Sequence, residues 1–409
     1  MAIHKKIPRF TPSLAWGDIF FVLRKIIYAC PCKETGVGNK FEQIFANFIE
    51  SKHAISAVSG RLALYSILKN LKIKDGAEIL LPSFTYWAIP SLVRSLKFNP
   101  IFVDIDPNTY NIDYSLIEEK ITSKTRVVVP THLYGLPCKM DRIKEIAKKH
   151  NLVVIEDCVQ ACGAEYMGRK TGSWGDAAYF SFDITKKPSL LGGGMIVTSL
   201  DFLSDDIRRE AATFGYLGNV GLAKKLIQVS TMKVLTDPYI FSLFLYPIIY
   251  GFSGFGIDIV HSIFSEKESF EAKNLEIRCK LMPVEIQQEL GIKEMGNLCS
   301  IIKLRKRNAG FLYKKLEGVK GITLPEFSEN NIYITFPIRV RNRDKFMRAL
   351  LKKGVDTTSG YMKPFGQDCY KARKLYEEIV HLPIYPSLGF EELEFIADSI
   401  KQVCREVGL

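Results

Sequence analysis

The sequence predicts an α/β fold built on a mostly parallel sheet. Two observations carry that prediction. From about residue 41, short apolar runs alternate with stretches of helical period. Polar residues gather just after the apolar runs, where parallel sheets bind their ligands. The composition fits a globular chain: 409 residues, 47% apolar and 24% charged. That length holds two domains, or one large domain with an appendage.

The elements follow in order. Residues 1–40 read as an arm, kept extended at first by the prolines of IPRFTPS. In WGDIFFVLRKIIYAC the apolar set Trp16, Ile19, Phe20, Leu23, Ile26 and Ile27 falls near helical spacing. Such a helix either docks on the core or lies in the plane of a membrane. KFEQIFANFIES reads as a helix, HAISAVSG as a strand ending in a turn, and RLALYSILKNL as the next helix. AEILLPS and LKFNPIFVDID are strands, and TRVVVPTHLYG is a strand with His132 after it. MDRIKEIAKKHN is a helix and LVVIEDCVQ a short buried strand. The polar residues at the strand ends are Ser59, Ser83, Thr85, His132, Asp157, Gln160 and Ser181.

Residues 200–270 break this pattern. Positions 238–257, PYIFSLFLYPIIYGFSGFGI, carry no charge over 20 residues, long enough to cross a bilayer. Pro247, Gly251, Gly254 and Gly256 argue against a straight spanning helix. Arg208, Arg209, Lys224, Lys225 and Lys233 precede it, and a basic flank beside an apolar, aromatic segment suits an anionic membrane surface. A buried insertion or a dimer contact is the alternative. We therefore expect an arm at 1–40 and a large domain at 41–270 with an apolar insertion at about 238–264. A smaller α+β domain at 271–409 follows, with a strand pair around IYITFPIRVR and a closing helix FEELEFIADSIKQVCREV.

The net charge of +12 and pI near 9.1 favour anionic partners. A nucleic-acid role would rest on charge alone and is not adopted. The nine cysteines are scattered, and neither Cys30/Cys32 nor Cys158/Cys162 has the repeated spacing of a zinc site. No metal site is expected, and the thiols read as reduced, in a cytoplasmic protein. No signal-peptide core follows the charges of MAIHKKIPRFTPSLAW.

The chemistry gathers around AYFSFDITKKPSLLGGGMIVTS, where Lys186 and Lys187 stand between a strand end and three glycines. Adjacent ammonium groups bind a phosphate, or one of them forms an imine. Asp157 ends LVVIED, 29 positions before Lys186, and Glu156 faces the other way if the strand continues. A lysine and a carboxylate so placed are the two groups pyridoxal phosphate needs. The carboxylate keeps its ring nitrogen protonated; the amine holds the cofactor and moves a proton. Ser59 and Gly60, at a strand-to-helix turn, offer amides to a phosphate, and Ser181 offers a hydroxyl. Tyr86 or Trp87 offers a stacking face.

Taken together, AVSGRLAL, LLPSFTYWAIPS, PIFVDIDPNTYNID, VVPTHLYGLPCKMDRI, the run from Val153 to Thr198 and HLPIYPSL resemble the DegT/DnrJ/EryC1/StrS sugar aminotransferases. These are fold-type I pyridoxal-phosphate enzymes. The resemblance is close over residues 41–200 and looser over 271–400. It implies a large domain with a mostly parallel sheet, a smaller C-terminal domain, and a homodimer with a shared active site. It also implies glutamate as amino donor and a keto sugar as acceptor.

The family's serine-phenylalanine, three residues, lysine pattern puts the covalent role on Lys186 and leaves Lys187 as an electrostatic neighbour, which would lower the pKa of Lys186 or meet an anionic substrate. The resemblance gives Asp157 the ring nitrogen, Gln160 the ring hydroxyl and Tyr86 the stacking role, with Ser59, Gly60 and Ser181 at the phosphate. His132 lies near the site in the family, with a backbone-bonded structural role as the other reading.

The chain also departs from the pattern. Arg61 stands where the family has threonine, and would reach the phosphate or another anion. Leu191-Gly192-Gly193-Gly194 lacks the family's carboxylate, and Lys280 or Arg278 takes the place of a partner-subunit asparagine. The apolar stretch is an unusual insertion, which raises a lipid-linked acceptor beside a nucleotide-linked one, in a cytoplasmic protein peripheral to the membrane. A dehydratase of the same family is the rival enzyme, although one such branch replaces the lysine by histidine. A non-catalytic, membrane-associated protein keeping the fold is the rival from another class.

Overall fold

The structure is a computed structural model that describes residues 5–28, 36–216, 218–253 and 281–408. The expected roles of Lys280 and Arg278, the Cys30/Cys32 pair and residues 254–264 of the insertion lie outside the described residues. Seven strands form the main sheet. They are β1 (His53–Ala57), β2 (Glu78–Pro82), β3 (Asn99–Val103), β4 (Thr125–Val128), β5 (Val153–Asp157), β6 (Ala177–Ser181) and β7 (Gly194–Thr198). Their spatial order is β1-β7-β6-β5-β4-β2-β3. The pairings from β6 through β3 are parallel, and β7 runs antiparallel to both neighbours. The expected mostly parallel α/β sheet is therefore what the chain builds.

The helices are α1 (Trp16–Tyr28), α2 (Val37–Ile49), α3 (Gly60–Asn70), α4 (Ala88–Ser95), α5 (Met140–Lys149), α6 (Asp201–Ala211) and α7 (Asn219–Leu235). Next come α8 (Pro238–Ser253, with a π turn), α9 (Glu285–Leu316), α10 (Arg343–Lys353), α11 (Tyr370–Glu378) and α12 (Phe390–Val407). Period-two alternation splits the sheet between two cores. Ile79, Val127, Ile155, Tyr179 and Ile196 pack under α3, α4 and α6. Their neighbours face the other side: Leu80, Val128 and Val154 against α5, and Ala178, Phe180 and Met195 against α2 and α9. Helices thus cover both faces, as a largely parallel sheet requires.

The C-terminal part has its own core around β8 (Ile322–Thr323), β9 (Phe336–Val340) and β10 (Ile379–Leu382), with β9 in the centre and both pairings antiparallel. The strand pair expected around IYITFPIRVR is formed by Phe336–Val340 with Ile322–Thr323, and the first residues of that stretch stay outside the strand. The preceding carbonyls of Tyr333 and Ile334 accept from Arg305 instead of a neighbouring strand. The 32-residue α9 joins the two cores, its first half in one and its second half in the other. The arm reaches the second core as well. Ile7 is buried there, bridged to Val355, and Arg9 forks onto Asp356 at 2.8 Å.

No single helix among the described residues is long and apolar enough to cross a membrane. α7 and α8 pass that test only as a pair, bent by 66°. α1 docks on the core, the first of its two expected roles. Ile19 and Val22 dock against Leu222, Leu226 and Val229 of α7, while Trp16, Phe20, Leu23 and Ile27 face outward. The six cysteines among the described residues recorded as free are Cys138, Cys158, Cys162, Cys299, Cys369 and Cys404.

Candidate active site

Three strand ends and one helix start meet at one edge of the sheet. β1 ends before Ser59, which caps α3: its Oγ accepts from Leu62 N at 3.2 Å. Gly60, the first residue of α3, touches the end of β6. A Cβ on Gly60 would come within 3.0 Å of the Ser181 Cβ and 3.4 Å of the Phe180 carbonyl. Ser59, Gly60 and Ser181 therefore line one cradle, open to an anion at a helix N-terminus. Arg61 follows in the first turn, partly exposed.

The three glycines close this cradle from behind. Gly193 N–H donates to Val58 O at 2.9 Å, and Ser59 bridges Gly193. A Cβ on Gly194 would lie 2.7 Å from both Phe180 O and the Ser59 carbonyl carbon. The loop between β6 and β7 is then a closed lariat: Phe182 N–H donates to Gly193 O and Phe182 O accepts from Leu190 N–H, each at 2.9 Å. Lys186 sits at its tip, with its own N–H on Asp183 O at 2.8 Å.

The Lys186 ammonium has no hydrogen-bond partner among the described residues. Burial pushes its pKa down and the nearby Arg305 guanidinium pushes the same way, against the opposing pull of Asp183 and Asp157. A lysine so placed holds more of its free-amine form at neutral pH. Asp157, which feels the Lys186 charge, ends β5, where Oδ1 accepts Val159 N–H at 3.1 Å and Oδ2 accepts Thr131 Oγ1 at 3.4 Å. Burial pushes its pKa up, opposed first by the neighbouring Tyr179 hydroxyl, then by the Val159 amide and by the His132 and Lys186 charges. The Tyr179 hydroxyl is buried beside Asp157 without a well-formed hydrogen bond.

The remaining expected residues surround this pair. Gln160 is buried and its Oε1 accepts Tyr134 N–H at 3.1 Å, so its amide nitrogen is the group it can offer. Tyr86 ends a short strand, Phe84–Tyr86, which pairs with Met362–Pro364 of the C-terminal part. Its ring is partly exposed, beside Trp87 at 5.5 Å.

Two expectations need correction. Lys187 does not face an anionic ligand. It turns into the protein, buried, with Nζ 2.5 Å from Glu294 Oε2 on α9. Glu294 also accepts Ser189 N–H at 3.3 Å, which pins the lariat to α9. His132 is fully enclosed: Nδ1 accepts Cys138 N–H at 3.0 Å, so Nε2 carries the proton and donates to Glu156 at 2.9 Å. A ring so held has no free nitrogen to exchange a proton with a ligand, and the structural reading of His132 replaces the catalytic one. Cys158 lies near the same pair, yet His132 and Glu156 are already engaged by protein groups.

Sequence reasoning did not single out Thr131, Tyr179 or Arg305. Thr131 and Tyr179 carried a weak signal, since Tyr179 sits on a strand that leads toward the site and Thr131 lies three residues past the end of another. Arg305 carried none: it lies 119 positions after Lys186, on another element.

The set fits pyridoxal phosphate: an unpartnered amine, a buried carboxylate within its field, and a glycine-walled cradle that an added Cβ would fill. The sequence profile of the DegT/DnrJ/EryC1/StrS aminotransferase family matches residues 35–233 and 259–401. This chain belongs to that family. It is an aminotransferase of the α/β fold that the family's solved structures share. The match leaves out residues 234–258, which contain α8.

A dTDP-3-amino-3,6-dideoxy-alpha-D-galactopyranose transaminase of Aneurinibacillus thermoaerophilus is 31% identical over 381 residues, 90% of each chain. An aminotransferase from Psychrobacter cryohalolentis has a TM-score of 0.76 at 25% identity, over 98% of this chain and 99% of its own. NtdA from Bacillus subtilis, solved with the bound cofactor PMP, has a TM-score of 0.71 at 22% identity, over 95% of this chain and 82% of its own.

Proposed function

We propose that this aminotransferase uses pyridoxal 5′-phosphate to move an amino group from glutamate to a keto sugar carried on a nucleotide or a lipid. The product would serve envelope polysaccharide or lipid synthesis. One observation carries the reading: the unpartnered Lys186 amine stands in the field of the buried Asp157, beside the cradle of Ser59, Gly60 and Ser181. A homodimer with a shared active site is part of this reading.

The cofactor supplies a carbonyl that exchanges for an amine and a ring that accepts electrons. This chain's residues do the rest. The Asp157 carboxylate holds a proton at the ring nitrogen, and Thr131 and the Val159 amide hold that carboxylate in place. Ser59, Gly60 and Ser181 bind the phosphate, and Tyr86 covers the ring. Gln160 donates to the ring hydroxyl. Lys186, its pKa lowered by burial, carries the proton at the reacting carbon. His132 and Glu156 position the strand from behind.

The test is a half-reaction on purified protein loaded with pyridoxal phosphate. Added glutamate should convert the bound cofactor to pyridoxamine phosphate and release 2-oxoglutarate. A chain that binds the cofactor but is not converted by glutamate would contradict the donor. A chain that binds none would contradict the whole reading.

A further inference from the structure

α1, α7 and α8 together present apolar side chains to solvent. On α1, Trp16, Phe20, Leu23 and Ile27 form an outward stripe at helical spacing, 42–63% exposed, on the side away from the docked Ile19 and Val22. On α8, Leu243 and Phe244 are 60% and 64% exposed in a segment without any charge. On α7, Ile227 is 65% exposed. Large apolar side chains gathered on adjoining elements mark an interaction surface rather than ordinary scatter.

These elements are held firmly. α1 packs on α7. α8 packs through Phe241 and Ile249 onto Leu351 of α10, and the Tyr246 hydroxyl donates to Leu351 O at 2.6 Å. The arm adds Lys6 N–H on Ser242 Oγ at 2.8 Å. The outward residues are therefore displayed by a fixed scaffold.

Charge selects the occupant. Residues 5–28 and 218–253 carry eight basic side chains against two acidic ones, Asp18 and Asp237; three of the eight are already paired, Arg9 with Asp356, Lys25 with Glu289 and Lys225 with Asp183, which leaves five basic groups for the rim. Asp18 is buried and engaged by Lys293. Arg24 and Lys224 are exposed beside the apolar residues. A second copy of the chain would set this basic rim against itself, whereas anionic lipid headgroups complement it. The bent α7–α8 pair suits a segment lying in the interface better than one that spans it.

We propose that the face formed by α1, α7 and α8 docks on the anionic surface of a lipid bilayer, with α1 and α8 inserted among the headgroups. The opposite side of α7 packs against Ile184 and Leu191 of the Lys186 lariat. Docking would hold the active-site loop about one helix diameter, ~10 Å, from the lipid.

The experiment is co-sedimentation of the full chain with vesicles of phosphatidylcholine alone or mixed with phosphatidylglycerol. Phe20→Glu and Phe244→Glu variants run alongside, with thermal unfolding and oligomeric state measured for each. The wild type should sediment with the anionic vesicles, less at high salt, and each variant should lose at least tenfold in partition with unchanged melting. No sedimentation with anionic vesicles would overturn the proposal, as would binding that the variants leave intact. Variants that lower the oligomeric state of a wild type that ignores vesicles would assign the face to contact between copies, and also overturn it. No sugar or amino donor enters this assay, so its failure is separate from a failure of the proposed reaction.

Discussion

Glu156 and Asp157 are adjacent on β5, yet they serve opposite faces of the sheet. Asp157 looks toward the active-site lysine, held by Thr131 and the Val159 amide. Glu156 is fully buried and accepts from His132 and from the amides of Gly172, Trp174 and Gly175, at 2.6–2.9 Å. One carboxylate is positioned for chemistry, and the other ties a loop to the sheet.

Their substitutions should separate cleanly. Asp157→Asn should keep the fold and lower turnover by about 100-fold or more, the usual scale of lost proton control. Glu156→Gln should cost about 1–3 kcal/mol of stability, because amides that now meet a charge would meet a weaker acceptor. Turnover with a keto sugar and calorimetric melting of both variants check this.

The two adjacent lysines should also separate. Lys187→Ala leaves the Glu294 charge buried without its partner and should cost about 3–5 kcal/mol, while the folded fraction still binds cofactor. Lys186→Ala should melt near the wild type and lose the amine chemistry. Denaturant unfolding with cofactor titration distinguishes them.

Gly194→Ala tests the cradle. Its Cβ would press on backbone atoms of Phe180 and Ser59, which cannot yield without moving the start of α3. The expected result is a loss of about 1–3 kcal/mol together with weaker cofactor binding, read from melting curves with and without pyridoxal phosphate.

His381 sets an acid limit. Burial lowers its pKa to about 3, with Gly360 packed against its ring and Thr335 at 3.2 Å from Nδ1. The unfolded chain protonates this ring near pH 6.5, while the folded chain resists until about pH 3. Its contribution is therefore full above pH 6.5 and falls away toward pH 3, by roughly 3 kcal/mol at pH 4. Replacing it in His381→Asn should flatten the stability curve between pH 6.5 and 4, measured by urea unfolding at several pH values.

Much of the site was legible in the sequence because it depends on short-range rules. Strand alternation separates Glu156 from Asp157, and a strand-to-helix turn names Ser59 and Gly60. What was not legible depends on partners far along the chain. Lys187 looks like a ligand-facing charge until Glu294, 107 positions later, is seen to neutralise it. His132 looks chemical until the Cys138 amide and Glu156 are found on its two nitrogens. Arg305 had no local pattern to mark it. The insertion was legible as an apolar break, but its bend, and the way α7 joins it to the lysine loop, come from packing against α1 and α10.

The central claim is that Lys186, and not Lys187, is the covalent lysine. Borohydride reduction of the pyridoxal-phosphate-loaded wild type, followed by peptide mass mapping, tests it most directly. The account predicts the reduced cofactor on Lys186, and none on either lysine in Lys186→Ala. Cofactor trapped on Lys187, or no trapped cofactor in the wild type, would contradict it.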